Sequence, residues 1–463
     1  MNRLPPGVLA SCATFVSGAD PRPIVPLTHV CQYWRESIGS NPENWKSIGM
    51  GWKRLVPLCL GRVGPVPLVV DIAVPDGKGD EAFFDTLLPH VPRIGSLRLT
   101  GYSSIETVAE DLPGLFASPM LGLTSLELEQ TAEPAQLFPS DNTPVPPPFL
   151  DVSKLRSLSL TRTPLYPPLF AVTSLVELKL IGYTTPFHFG TFLGLLDSNP
   201  GLELVMLDIQ FARRLADTKP TRKVFLPRLQ HLSITCSDPI YSKGLLSSIF
   251  LPRGVHLEVV STQSDRSAQL GSFLPSPPTP IHDLLAPTTT IKTQVTPWEF
   301  RLFGNGSTFT FRSSHPLLAM HPELKLFPST TIREFYTNIH PFKYPDAGVS
   351  ETLELLPALE TLVFSKTAFP LGLLSALTEE PVLCPALKTL AFFDCGINSD
   401  IMKKLGEAIA MRRGSPAARL HRVVIVDSAG ISPDLALVQQ LRKSVPCVEV
   451  RNDDKLPDLS KCA

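Results

Sequence analysis

The 463-residue chain lacks the marks of several protein classes. No apolar run approaches the roughly 18 to 20 residues that cross a bilayer as a helix, so no membrane partner is expected. Val8 to Val16 follows Arg3 in the outline of a secretory leader, but Ser11 and Thr14 interrupt it, it begins right after Pro5 and Pro6, and it lacks a convincing small-residue cleavage site. An excess of one charge is also missing: 42 Lys and Arg stand against 43 Asp and Glu, for a formal net charge of −1. Without a long basic run there is no electrostatic footprint for nucleic acid. The 8 Cys are scattered, with no CxxC pair and no zinc-type Cys/His spacing. No metal site is therefore expected, and the cysteines read as reduced thiols of a cytoplasmic or nuclear protein. Catalytic signatures are absent too: there is no GxxxxGK[ST] phosphate loop, no GxSxG elbow and no HExxH. His321-Pro322-Glu323 has the HxE of a zinc deaminase without the PCxxC that supplies the other ligands. The expectation is a chain with no cofactor and no catalytic residue.

What the chain has is one phrase, PxLxxLxL, repeated. It stands complete at Pro92, Ile94, Leu97 and Leu99, at Pro227, Leu229, Leu232 and Ile234, at Pro357, Leu359, Leu362 and Phe364, and at Pro385, Leu387, Leu390 and Phe392. Without Pro it recurs from Leu123, Leu155, Leu175 and Leu420, and in weaker form at Leu204, Leu207 and Ile209 and at Ile332, Phe335 and Thr337. The last two apolar positions share one face of a short strand, and the first covers its entry. Such a strand cannot bury that face alone. Apart from one long gap, copies start about 20 to 33 residues apart, the spacing at which a strand and a returning helix stack as one layer of a solenoid. Pro, with no N–H to donate, ends the returning helix before the chain enters the sheet. The pattern resembles ribonuclease-inhibitor-like leucine-rich repeats in a degenerate form, which implies an α/β fold with a curved parallel sheet. The first strand is expected near residue 67 and the array runs over 67–455. Proline-rich 131–149 and Ser/Thr/Pro-rich 261–290 read as flexible insertions. Residues 298–303 and 307–311 flank Gly304-Asn305-Gly306, a hairpin signal expected to replace a repeat's helix.

Residues 1–50 do not follow the repeat. An amphipathic stretch runs from Leu4 to Val16, Asp20-Pro21-Arg22-Pro23 breaks it, and Ile24, Leu27, Val30, Cys31 and Trp34 then share one face of a second helix. Asn41-Pro42-Glu43-Asn44 turns the chain towards Trp45. The order Leu4-Pro5, Val8-Leu9, Phe15, Asp20, Leu27, Val30-Cys31, Trp34-Arg35 and Trp45 resembles the F-box, a three-helix module, and the stretch from Pro26 to Trp45 is similar to F-box proteins of mushroom-forming fungi, which continue into leucine-rich repeats. The resemblance implies that Leu4, Pro5, Val8, Leu9, Leu27, Val30, Cys31 and Trp34 form the module's small core and its surface for a Skp-type adaptor, and through it a cullin. Gly7, where the family usually has an acidic residue, and Cys12 and Ala13, where it has a large aliphatic one, depart from the pattern. Exposure of Leu4, Leu9 and Trp34 would favour adaptor docking, whereas a mere cap on the first repeat would bury them. Residues 51–66 read as a linker helix.

Within each LxxLxL the residue between the last two apolar positions points away from the core. These positions hold Arg98, Glu127, Ser159, Lys179, Asp208 and Ser233, then Tyr336, Val363, Ala391 and Val424. The expectation is a target-protein site with an apolar centre at Tyr336, Val363, Ala391 and Val424 and a polar rim at Arg98, Glu127, Lys179 and Asp208. The competing expectation is that the insertion near residues 261–330 covers the later group.

Overall fold

Three short helices open the chain: α1 (Pro6–Ser17), α2 (Ile24–Thr28) and α3 (Gln32–Gly39). Leu9, Ala10 and Ala13 are buried on α1, Ile24 on α2, Ile38 on α3 and Trp45 in the next turn, and the helices pack on one another. The single helix expected from Ile24 to Trp34 is broken. The Thr28 hydroxyl turns back to the Val25 carbonyl at 2.7 Å, Arg35 Nε donates to the Thr28 carbonyl at 3.1 Å, and Cys31 is extended at φ −162° before α3 begins. Asn44 locks the module: its amide donates to the Ile38 carbonyl at 3.0 Å and its side-chain oxygen lies 2.6 Å from the Thr14 hydroxyl.

The computed structural model describes residues 4–17, 20–74, 81–102, 115, 119–131, 153–163, 169, 171–183, 189–209, 223–262, 270–275, 290–295, 298–304, 307–313, 330–337, 347–366, 369–378, 382–412, 419–426 and 435–451. The chain divides into two compact units, Met1–Leu229 and Gln230–Ala463. The expected insertion at 131–149 lies outside the described residues beyond 131, as does most of 261–290.

In the first unit the sheet starts earlier than residue 67, because β1 (Ser47–Gly49) already pairs parallel with β2 (Leu68–Ala73). The expected linker helix between them is a 3-10 segment, Met50–Leu55, followed by α4 (Val56–Arg62). Then come α5 (Glu81–Leu87), β3 (Ile94–Tyr102), β4 (Ser125–Gln130), β5 (Ser157–Thr161), β6 (Glu177–Tyr183), α6 (Phe189–Asp197) and β7 (Leu204–Ile209). All these strands run parallel, each beside its predecessor in sequence. The burial of β4, β5 and β6 alternates, Leu over Leu on the core side and partly exposed residues on the other.

The strands are joined at their entries by a repeated device. Two consecutive N–H groups of one strand donate to a single carbonyl of the one before: Arg156 and Ser157 to Thr124, Val176 and Glu177 to Arg156, Glu203 and Leu204 to Val176. At their exits, Leu99-Thr100-Gly101-Tyr102 and Leu180-Ile181-Gly182-Tyr183 each end in a bulge. Gly101 and Gly182 sit at φ +83° and +73°, where a side chain would be strained. The bulges re-aim Tyr102 and Tyr183 into the core, where their hydroxyls reach Thr163 Oγ1 at 2.7 Å and the Thr163 carbonyl at 2.6 Å. Asn199, fully buried after α6, accepts from the Leu175 N–H at 2.9 Å and donates to the Val172 and Leu195 carbonyls, each at 2.8 Å.

The second unit contains β8 (His231–Cys236), α7 (Pro239–Ser248), β9 (His256–Ser261), α8 (Leu270–Phe273), β10 (Thr290–Val295), β11 (Trp298–Gly304), β12 (Ser307–Ser313), β13 (Glu334–Thr337), α9 (Ala347–Glu354), β14 (Thr361–Ser365), α10 (Gly372–Thr378), β15 (Thr389–Phe393), α11 (Ser399–Arg412), β16 (Arg422–Val426), α12 (Leu435–Ser444) and β17 (Cys447–Arg451). Asn398 caps α11 as its sequence suggests, accepting from the Ile401 N–H at 2.9 Å. The sheet order is β8-β9-β12-β11-β10-β13-β14-β15-β16-β17. The sheet is therefore mixed, a correction to the wholly parallel array expected. The hairpin signal is realised as antiparallel β11 and β12, and with β10 they form a meander within the sheet rather than a substitute for a helix. This meander, with β9, fills the long gap in the repeat phrase. Within 261–290, residues 270–275 hold buried Phe273 and Leu274, and the Ser242 hydroxyl donates to the Phe273 carbonyl at 2.9 Å. This short piece is packed rather than a free loop.

Candidate functional site

The N-terminal module presents more apolar surface than its own packing uses. Leu4 is 47% exposed, Val8 45%, Val30 58% and Phe15 89%, although each is a large hydrophobic side chain. Pro5 is exposed, and Leu27, Cys31 and Trp34 are half-buried. Leu9, by contrast, is only 3% exposed. Helical geometry explains the split: Leu9 and Ala13, four residues apart, share the inward face of α1, while Val8 lies about 100° round the helix from Leu9. The expected exposure thus holds for Leu4, is partial for Trp34 and fails for Leu9, which belongs to the module's core. The Tyr33 hydroxyl donates to the Leu4 carbonyl at 2.6 Å and holds the leading segment against α3. Ala13 is buried and Cys12 faces out. A Cβ on Gly7 would meet nothing within 4 Å.

The sheet face opposite the helices forms rows. In the first unit Arg98, Glu127, Ser159 and Lys179 are register partners across β3 to β6, as the repeat phrase implies, and the row continues to Met206 on β7. The copy read at Leu204, Leu207 and Ile209 is displaced by two, since Leu202, Val205 and Leu207 are the residues buried. A shift of two preserves the strand face, so Asp208 stays on the expected side. Arg98 Nε lies 3.2 Å from Glu127 and Lys179 Nζ 3.8 Å from Glu177. Burial raises the Asp208 carboxyl above its ordinary range, partly offset by the Gly182 N–H that it accepts. The face is mainly polar, carries both signs and is open to solvent at Arg98, Glu127 and Lys179.

In the second unit Tyr336, Val363, Ala391 and Val424 also form one row, in register across β13 to β16. They are not accessible in the way the expected apolar centre requires. Val363, Ala391 and Val424 are buried with Phe393 and Val426, and half-buried Tyr336 packs against them. Burial pushes the Tyr336 hydroxyl up to about 12, helped by Glu334 at 3.4 Å. The sequence carries the signal for this: Leu390-Ala391-Phe392-Phe393 and Val423-Val424-Ile425-Val426 are unbroken apolar runs, the mark of strands buried on both faces.

Sequence spacing does not single out His231, His256 and Glu258, which the structure brings together on β8 and β9. The signal that finds them is a repeated H-L-x-[IV], His231-Leu232-Ser233-Ile234 and His256-Leu257-Glu258-Val259, visible once the two strands are aligned. The buried thiols offer little nucleophilic chemistry: desolvation raises Cys59 to about 11 and Cys384 to about 12. No protein-family model matches the chain, and no curated protein is significantly similar to it. Among the described residues no helix is long and apolar enough to cross a membrane.

Proposed function

We propose that this chain is a substrate-recognition subunit of an SCF-type cullin-RING ubiquitin ligase, an F-box module followed by ribonuclease-inhibitor-like leucine-rich repeats. The observation that carries the reading is the exposed set Leu4, Val8 and Val30 on a three-helix module that already has its own core of Leu9, Ala13, Ile24, Ile38 and Trp45. Apolar side chains left over after a module has packed are suited to a partner surface. The sequential parallel strands and repeated entry hydrogen bonds support the repeat reading. The chain then works without a catalytic centre or cofactor: the module docks a Skp-type adaptor and through it a cullin, and the repeats hold a target protein. Tethering raises the effective concentration of target lysines at the charged ubiquitin-conjugating enzyme. The polar row Arg98, Glu127 and Lys179 is the part of the expected target surface that stands open, with partly buried Asp208 at its edge, and it suits a partner of complementary mixed charge.

Co-expression with a Skp-type adaptor and size-exclusion chromatography tests the reading. Co-elution is expected for the wild type and is lost in Val8→Asp/Val30→Asp, which changes exposed positions and leaves the module folded. Leu9→Asp is unsuitable, because its buried side chain makes loss of binding and loss of fold indistinguishable. A wild-type chain that does not co-elute overturns the proposal in favour of the second reading, a repeat scaffold whose N-terminal helices are only a cap.

A further inference from the structure

We propose that His231, His256 and Glu258 form a binding site for a divalent transition-metal ion, with zinc the ion that best suits the donor set. Strands β8 and β9 are parallel and place His256 opposite His231 and Glu258 opposite Ser233. Adjacent strands lie about 4.8 Å apart, and the two imidazole rings stack at a centroid distance of 4.8 Å with 24° between their planes. Glu258, two residues beyond His256, projects on the same side of the sheet. The Ser233 hydroxyl donates to Glu258 Oε2 at 3.1 Å and orients the carboxylate towards the ring pair. One ligand atom from each of the three residues lies within 4.8 Å of the others.

The scaffold beneath them is rigid. Leu232, Ile234, Leu257 and Val259, which alternate with the three ligands, are all buried in the core, so the site stands on two paired strands rather than on a loop. Zinc bonds of about 2.0 to 2.1 Å at tetrahedral angles put ligand atoms roughly 3.3 Å apart. Rotation about the side-chain torsions of three half-buried residues supplies the remaining contraction, with no movement of the backbone. Two imidazoles and one carboxylate form a borderline nitrogen and oxygen set that suits zinc over calcium or magnesium. Three protein ligands leave a fourth position open. Ser233 takes the orienting role that an outer hydrogen-bond partner plays at such sites. A bound ion ties β8 to β9 and presents a Lewis-acidic position on the sheet face. Nothing in this inference depends on the ligase reading.

The test is zinc titration of chelator-stripped full-length protein by calorimetry, with a thermal melt at each endpoint. One ion per chain and a melting temperature raised by several degrees are expected. His256→Gln and His231→Gln each abolish the saturable uptake and the thermal shift, the shift being read against each variant's own metal-free melt. Ser233→Ala weakens binding roughly tenfold. Cobalt substitution separates this site from the free thiols, because an imidazole and carboxylate site gives no thiolate-to-metal charge-transfer band. Failure of the wild type to take up stoichiometric zinc overturns the proposal. So does full uptake by the His231→Gln/His256→Gln double variant, or a thiolate charge-transfer band in the cobalt form.

Discussion

Asn199 offers a test of how neighbouring strand and helix segments of the first unit are held together. Its carboxamide satisfies three backbone groups at once, the Leu175 N–H at 2.9 Å and the Val172 and Leu195 carbonyls at 2.8 Å, in a site with no solvent exposure. In Asn199→Ala the Leu175 N–H loses its acceptor without gaining water, which costs about 1 to 3 kcal/mol. The two carbonyls lose a donor each, a smaller penalty per group because under-satisfied carbonyls are better tolerated than orphaned N–H groups. The sum is about 3 kcal/mol, equivalent to roughly a hundredfold change in the local opening equilibrium. Because the lost hydrogen bonds tie the end of α6 to the entry of β6, the loss is expected in hydrogen exchange over residues 172–209 and not in the N-terminal helices. Asn199→Asp is at least as damaging at neutral pH. It keeps an acceptor for Leu175 but turns a carboxylate oxygen on two carbonyl oxygens, and part of the loss returns as the introduced carboxyl is protonated on acidification. Exchange protection within about threefold of wild type in Asn199→Ala would refute the accounting, since it corresponds to well under 1 kcal/mol.

Three further outcomes follow from the same reasoning. Val424→Asp places an unpaired carboxylate among Val363, Ala391, Phe393 and Val426 and is expected to destabilise the second unit by more than about 3 kcal/mol, read as a lower midpoint in urea; an unchanged midpoint would show the row to be open. Asp208→Asn should stabilise the first unit near neutral pH. Its raised carboxyl pKa means that Asp208 supports the fold when protonated and that this contribution is lost as pH rises through the folded-state value, so the advantage of Asn should disappear on acidification. Gly7→Ala, at an exposed helical position where a Cβ meets nothing within 4 Å, is expected to add about 0.4 to 1 kcal/mol to the module, seen in thermal melts and neutral towards adaptor co-elution.

Much of the strand layout was legible because the repeat phrase couples one simple periodicity to one burial requirement. The rows Arg98 to Lys179 and Tyr336 to Val424 lie in register as the phrase implies. Asp208 lies on the expected face although the buried set at β7 is Leu202, Val205 and Leu207 rather than Leu204, Leu207 and Ile209, because a displacement of two residues is invisible to a period of two. The break between α2 and α3 was not legible, since the apolar spacing runs on through it and only the Thr28 and Arg35 hydrogen bonds mark the end. Leu9 and Val8 are adjacent apolar residues of one helix, and which one faces inward depends on where α3 and Trp45 sit.

The sequence by itself determined the strands that carry the repeat phrase, the side on which those strands bury their apolar residues and the mainly polar character of the opposite face in the first unit, because these follow from local spacing and from side chains that must leave water. Only the tertiary structure decided the insertion of the hairpin, with β10 beside it, between β9 and β13, the packing of Val363, Ala391 and Val424 against Phe393 and Val426 of neighbouring strands, and the meeting of His231 with His256 and Glu258. Each of these depends on which strand pairs with which across a separation in the chain. Pairing between distant strands is a choice among alternatives that the whole chain makes at once, and no local window of residues contains it.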